Sequence, residues 1–242
     1  MHVLVISDIH ANLTALNAIL ADAGDFDIIW SLGDIVGYGP EPNECIARLS
    51  EFEHVAIPGN HDWGVLGKLE LAGFNTNARD ANLWTREQLT HESRAYLEAL
   101  PETSVQGDFT LAHGSPRHPI WEYLLSASVA ALSFDHFDTP IALVGHSHVP
   151  VIFRDTPDTH RCQAISPVEG ITIRLDEARY IINPGSAGQP RDGDPRAAYL
   201  LFDTDAKEFE HRRVDYDIED TQAKMQALGL PNQLISRLSF GW

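Results

Sequence analysis

A chain of 242 residues with 43% hydrophobic and 21% charged side chains can bury a sizeable core and has the composition of a globular protein. Its 35 acidic residues against 17 basic ones give a net charge of −18, a surface that repels nucleic-acid backbones and anionic membranes. Cys45 and Cys162 make neither a disulfide framework nor a zinc spacing, and no apolar run reaches signal or membrane-spanning length, so a cytoplasmic location is expected.

Val3–Ile6 is a continuous apolar run, as in a strand buried on both faces, and it leads into Asp8 and His10. Asn12 then has the chemistry of a helix N-cap, with Leu13, Leu16 and Leu20 on one helical face. Ile28–Trp30 reads as the next strand and ends in Gly33-Asp34. A helix with Cys45, Ile46 and Leu49 on its apolar side follows, then a strand at Val55–Ile57. Pro58-Gly59 breaks that strand at a sharp turn carrying Asn60, His61 and Asp62. On extended backbone Asn60 and His61 point in opposite directions, so one can serve a metal and the other a substrate.

This β-α-β-α-β order predicts a parallel sheet. Asp8, Asp34 and Asn60 stand 26 residues apart in each case, one βα unit per step, which puts all three at the same sheet edge. In open α/β sheets ligands bind beyond the carboxyl ends of the strands.

Residues 63–100 read as helical, with Trp84, Leu89 and Leu97 as core contacts, and stop at Pro101. Phe109–Ala112 is a strand ending in His113-Gly114. A loop through Pro116, Arg117, His118 and Pro119 precedes helical sequence from about Glu122 to Phe137. Ile141–Val144 is another buried strand, ending in His146-Ser147-His148. Short alternating strands near 149–154, 161–165, 171–175, 179–183, 197–203 and 208–214 predict a second, mostly antiparallel sheet. Acidic helical sequence from Ile218 to Leu238 closes the chain. Without a Gly/Ser linker or an internal repeat, the expectation is one domain over residues 1–242, of class α/β, with two stacked sheets flanked by helices.

The strand ends collect Asp8, His10, Asp34, Asn60, His61, His113, His146 and His148. Carboxylate, imidazole and amide oxygen suit Mn²⁺, Fe or Zn²⁺ better than Ca²⁺ or thiophilic ions. Leaving His61 aside, seven candidate ligands exceed one tetrahedral ion but serve two ions sharing a carboxylate. Two divalent cations against Asp8, Asp34 and a bridging hydroxide leave a site of about +1, able to hold a phosphate that the surface repels. The remaining histidines (His2, His54, His91, His118, His136, His160 and His211) have no motif context and read as surface or structural residues. Arg117 and Arg191 are the candidate phosphate contacts, with surface ion pairs as the competing reading. Tyr38 and Tyr123 can stack on a nucleobase or pack in the core or rim.

In order, Asp8-x-His10, Gly33-Asp34, Gly59-Asn60-His61-Asp62, His113-Gly114 and Gly145-His146-x-His148 resemble the calcineurin-like metallophosphoesterase superfamily. Trp84–Leu89, His113–Arg117, Asn183–Ser186 and Arg191-Asp192-Gly193 resemble a branch of small prokaryotic phosphoesterases. The resemblance implies a four-layer α/β/β/α sandwich with two stacked mixed sheets. It implies two divalent metal ions, with Mn²⁺ ranked first and Fe, Zn²⁺ or Ni²⁺ as alternatives. One is held by Asp8, His10, Asp34 and His148, the other by Asp34, Asn60, His113 and His146. His61 stabilises or protonates the leaving oxygen, and Asp62 orients it. The implied activity is hydrolysis of small or nucleotide phosphodiesters by a metal-bridging hydroxide. A dinucleoside polyphosphate hydrolase, a protein phosphatase and a non-catalytic protein-binding scaffold are the alternatives. The partner is a small phosphate ester, with no nucleic-acid polymer and no membrane; no feature specifies an oligomeric state.

Overall fold

A computed structural model describes residues 1–156 and 161–242, so His160 lies outside the described residues. The strands are β1 (His2–Ile6), β2 (Ile28–Ser31), β3 (His54–Ala56), β4 (Thr103–Gln106), β5 (Phe109–Ala112), β6 (Ile141–Leu143), β7 (Val151–Thr156), β8 (Arg161–Ile165), β9 (Thr172–Arg174), β10 (Tyr180–Asn183), β11 (Ala197–Asp203) and β12 (Glu208–Val214). The helices are α1 (Leu13–Asp22), α2 (Pro42–Leu49), α3 (Asn60–Leu66), α4 (Thr76–Gln88), α5 (His91–Ala99), α6 (Ala127–Ala131), α7 (Ile218–Ala227) and α8 (Asn232–Arg237).

Two six-stranded mixed sheets result, ordered β3-β2-β1-β11-β12-β9 and β4-β5-β6-β10-β7-β8. The period-2 alternation of strand side chains sorts the core into layers. Val3 and Val5 of β1, Ile141 and Leu143 of β6, and Leu200 and Phe202 of β11 pack between the sheets. Leu4 and Ile6 turn the other way, onto Leu16 and Ile19 of α1 and Cys45 and Leu49 of α2. Ala142 and Ile181 face outward from the second sheet onto Ala130 of α6 and Phe134. Each fully buried aliphatic side chain stabilises the fold by about 1.5–3 kcal/mol before chain entropy is counted. The four-layer α/β/β/α arrangement is therefore present.

The later strands do not form a sheet of their own. β9, β11 and β12 complete the first sheet, and β7, β8 and β10 complete the second around β4, β5 and β6. β1 pairs antiparallel with β11, Leu4 opposite Leu201, because both strands are apolar on both faces and suit a sheet centre. The helical reading of 122–137 shrinks to α6 and a 3₁₀ turn at Phe134–His136. The 63–100 reading resolves into the end of α3, a 3₁₀ turn at Leu71–Gly73, α4 and α5. Leu97 is buried, while Leu89 and Trp84 pack part-buried against core clusters.

β1, β2 and β3 run parallel, as do β5, β6 and β10 in the other sheet. Their carboxyl ends share one rim, and the loops there are cross-tied. The Asp8 N–H donates to Gly33 O at 3.0 Å, His10 N–H to Asp34 O at 2.9 Å, and Gly145 N–H to His113 O at 2.8 Å.

Candidate metal centre

Candidate ligand residues leave their strands in unusual backbone conformations. Asp8 (φ 54°), His10 (50°), Asp34 (52°), His146 (65°) and His148 (59°) all lie in the left-handed region. Few non-glycine residues adopt it, and each costs of order 1–3 kcal/mol, so such clustering marks a site the rest of the fold holds in place. Close approach is also enforced by glycine. A Cβ at Gly59 would sit 2.0 Å from Asp34 Oδ1, and one at Gly145 would sit 1.9 Å from Ser7 Oγ.

These turns bring Asp8, His10, Asp34 and His148 together as one buried group, and Asp34, His113 and His146 as a second. Asp34 belongs to both: its Oδ2 lies 3.7 Å from His10 Nε2 and 3.4 Å from His113 Nε2. Asn60 Oδ1 is 3.3 Å from His113 Nε2, which adds the amide oxygen to the second group. Asp8 Oδ1 is 3.2 Å from His148 Nε2.

Backbone carbonyls fix the imidazoles. Nδ1 of His10 faces Val36 O at 3.3 Å, Nδ1 of His113 faces Leu32 O at 2.8 Å, and Nδ1 of His148 faces Gln189 O at 2.5 Å. A carbonyl only accepts, so each Nδ1 carries the proton and Nε2 is turned inward. Burial, with His148 beside it, holds His10 neutral, so His10 Nε2 and His148 Nε2 face each other as bare acceptors at 3.2 Å. Asp8 Oδ1 and His146 Nε2 are buried without a hydrogen-bond partner. Opposed lone pairs and orphaned acceptors are the environment a divalent cation satisfies. The residues present fit metal binding.

Electrostatics agree. Burial raises the Asp34 carboxyl, but the His113 imidazolium outweighs it and holds it below the usual carboxylate range. His113 is resisted by burial, yet the Asp34 charge pushes it up to about 9, marking a place where positive charge is favoured. His146 is pushed down to about 3, chiefly by burial and then by His113.

Asn60, His61 and Asp62 lie not on extended backbone but in the first turn of α3, capped by Gly59. Asn60 and His61 diverge because successive helical residues are rotated by about 100°. The expected Asp62–His61 contact is corrected. Asp62 accepts from three backbone N–H groups, of Gly59 (2.8 Å), Val36 (3.0 Å) and Ile35 (3.3 Å), and so clamps the loop after β2 to α3. Burial and the nearby Asp34 charge push its carboxyl up to about 7. The residue that meets His61 is Asn82 of α4, and the sequence reading missed it. Its signal was faint: an amide among Ala78, Ala81 and Thr85, on the buried face of an amphipathic helix.

Arg191 lies at the site, its Nη2 3.4 Å from the Tyr38 hydroxyl. Arg117 does not offer its guanidinium there: it is ion-paired with Glu122, whose carboxylate also takes the Ser115 hydroxyl at 2.6 Å. Tyr38 is buried, with its ring 4.5 Å from His10 and 4.2 Å from His61. Tyr123 is 44% exposed and stacks on His146 at 3.8 Å, a rim position. The other singled-out motifs act as buttresses. Arg86 donates to Gly64 O (2.7 Å) and Val65 O (3.1 Å) at the end of α3. Asn183 Nδ2 donates to Gly145 O at 2.6 Å, and Ser186 Oγ to Asp8 O at 2.8 Å.

Comparison with known proteins agrees with this geometry. Residues 1–207 match the family model of the calcineurin-like phosphoesterase superfamily domain. An uncharacterized protein of Methanocaldococcus jannaschii is 41% identical over 98% of this chain and 97% of its own length. The crystal structure of a metallophosphoesterase from Sphaerobacter thermophilus superposes with a TM-score of 0.92 at 51% identity, covering 100% of this chain and 99% of that one. A hypothetical protein from Pyrococcus horikoshii shares the fold, with a TM-score of 0.80 at 22% identity over 100% of this chain and 98% of its own. The chain belongs to the calcineurin-like phosphoesterase superfamily.

Proposed function

We propose that this phosphoesterase is a binuclear phosphodiesterase acting on small or nucleotide phosphodiesters in the cytoplasm, with Mn²⁺ as the preferred metal. The observation that carries the binuclear reading is Asp34 Oδ2, within 4 Å of an imidazole from each ligand group. Asp8, His10, Asp34 and His148 hold one cation, and Asp34, Asn60, His113 and His146 hold the other. Divalent cations supply Lewis acidity and lower the pKa of water to about 7, giving a nucleophile at neutral pH.

The chain's own residues do the rest. Asn82 donates to Nδ1 of His61, so the His61 proton resides on Nε2, where it can donate a hydrogen bond that stabilises a leaving oxygen. Burial pushes His61 down to about 4, which keeps it a neutral donor near pH 7. Diester preference is supported by the motifs shared with the small prokaryotic branch. Turnover of bis-p-nitrophenyl phosphate, p-nitrophenyl phosphate and diadenosine tetraphosphate with Mn²⁺, Zn²⁺, Fe²⁺ and Ni²⁺ tests it. A higher kcat/KM for the bis ester is expected; a clear preference for the monoester under the same metal refutes the reading.

A further inference from the structure

The loop that follows β5 folds back over its own start. Gly114 N–H donates to Pro119 O at 2.5 Å, and a Cβ at Gly114 would sit 2.7 Å from the backbone N of Glu122 and 2.9 Å from that of Trp121. Glycine is therefore what lets residues 118–122 lie against the strand end that carries His113. The Ser115 hydroxyl donates to Glu122 at 2.6 Å and accepts from His118 N–H at 2.9 Å, and Arg117 pairs with Glu122. Ile120 and Leu124 are buried and anchor the loop to the core. Between and beside them, Trp121 (42% exposed) and Tyr123 (44% exposed) stay outside.

Both rings border the candidate metal centre. Tyr123 lies over the buried His146, with centroids 3.8 Å apart and planes at 22°, and its hydroxyl is bonded to Arg191. Trp121 is 6.0 Å from the same imidazole. On its other side Trp121 meets Phe74 edge-on, at 5.0 Å and 72°, and Phe74 meets His61 at 5.2 Å and 88°. The rings thus form a continuous wall from His146, a candidate ligand, to His61, the residue placed at the leaving oxygen. Holding the loop does not account for the exposed ring surface, because Ile120, Leu124 and the Glu122 contacts already do that. Two large rings left in water beside a polar site mark a surface for a flat apolar group.

We propose that Trp121 and Tyr123 form a stacking platform for a nucleobase, so that the preferred substrates carry a nucleoside on the scissile phosphate. This rests on the phosphodiesterase reading above. Every base has a π-face that an aromatic side chain can stack on, whereas an alkyl chain gains nothing from flat rings beyond apolar contact. The loop is tied down by its own hydrogen bonds, so little ordering cost falls on binding. A net charge of −18 disfavours a long polyanion, which leaves a single nucleotide unit as the ligand of this chemistry.

The test compares three trifluoroethyl phosphodiesters, whose leaving group brings no aromatic ring of its own to the wall. The second substituent is adenosine through its 5′-oxygen, 1-O-methylribose through the same oxygen, or cyclohexylmethyl. Mn²⁺-loaded wild type should favour the adenosine ester over each of the others by about 10-fold in kcat/KM. Trp121→Leu should bring both ratios most of the way to one, and Trp121→Phe should retain part of the preference. Wild-type ratios near one, equal preference for the cyclohexylmethyl ester, or ratios unaltered in Trp121→Leu overturn the platform. Calorimetric titration of the Mn²⁺-loaded protein with adenosine 5′-monophosphate and 1-O-methylribose 5-phosphate separates the two readings. Should none of the diesters be turned over, the diesterase reading falls. A preference for adenosine 5′-monophosphate in binding that Trp121→Leu abolishes then upholds the platform, and no preference overturns it.

Discussion

Asn82 Nδ2 lies 2.9 Å from His61 Nδ1 and 2.7 Å from Ala78 O. The carbonyl can only accept, which fixes the amide orientation and makes His61 Nδ1 the acceptor of the second N–H. The tautomer of His61 is thereby set from α4. Asn82→Leu should lower kcat about 10–100-fold, in the range seen for outer partners of site histidines. Metal content should be unchanged, and the loss should appear in kcat rather than KM.

His61→Gln should keep bound metal and melting temperature but lose turnover by about 10²–10⁴, the usual worth of a positioned group that assists the leaving oxygen. The loss should shrink for p-nitrophenolate, which needs little protonation, and grow for a poor alkoxide leaving group. Metal loss in proportion to activity would instead make His61 a ligand.

Gly59→Ala places a methyl group against Asp34, 2.0 Å from Oδ1 and 2.5 Å from its backbone N. Because Asp34 is common to both ligand groups, metal content should fall from about two ions per chain toward zero, as in Asp34→Ala. Chelation should lower the melting temperature of the wild type, since a ligand bound only by the folded state stabilises it. In Gly59→Ala that shift should be small. Elemental analysis and thermal melts with and without chelator measure both effects.

His211 on β12 is 2% exposed, and burial followed by the charge of Arg213 pushes it down to about 4 from an ordinary 6.5. The unfolded chain therefore binds a proton that the folded chain refuses between these values. Stability is full above about pH 6.5 and declines as pH falls toward 4, by at most about 1.4 kcal/mol per pH unit from this residue. His211→Leu should flatten the curve of denaturation free energy against pH in that window. An unchanged slope would assign the acid sensitivity to other groups.

Most of the clustering of candidate ligands was legible in the sequence because they follow continuous apolar strands, where strand end and side-chain chemistry coincide. Asp8, Asp34 and His113 are clear cases. What escaped were contacts between elements distant in sequence. Nothing local in Asp62 reveals that its carboxylate accepts from Val36 and Ile35, and nothing in Asn82 names His61 as its partner. Sheet membership was misread for the same reason. The alternation in β11 and β12 shows that they are strands, but which sheet they join depends on β1, nearly the whole chain away.

The pairing of β1 with β11 has a consequence in time. Val5 sits opposite Leu200, so β1 meets its antiparallel neighbour only after nearly two hundred further residues have been made. At about 5–20 residues per second that interval is roughly 10–40 s. During it, one edge of an apolar strand carrying Asp8 at its tip has no native partner and is open to misassembly. The rim that carries Asp8 is thus closed late in synthesis, once β11 has paired with β1.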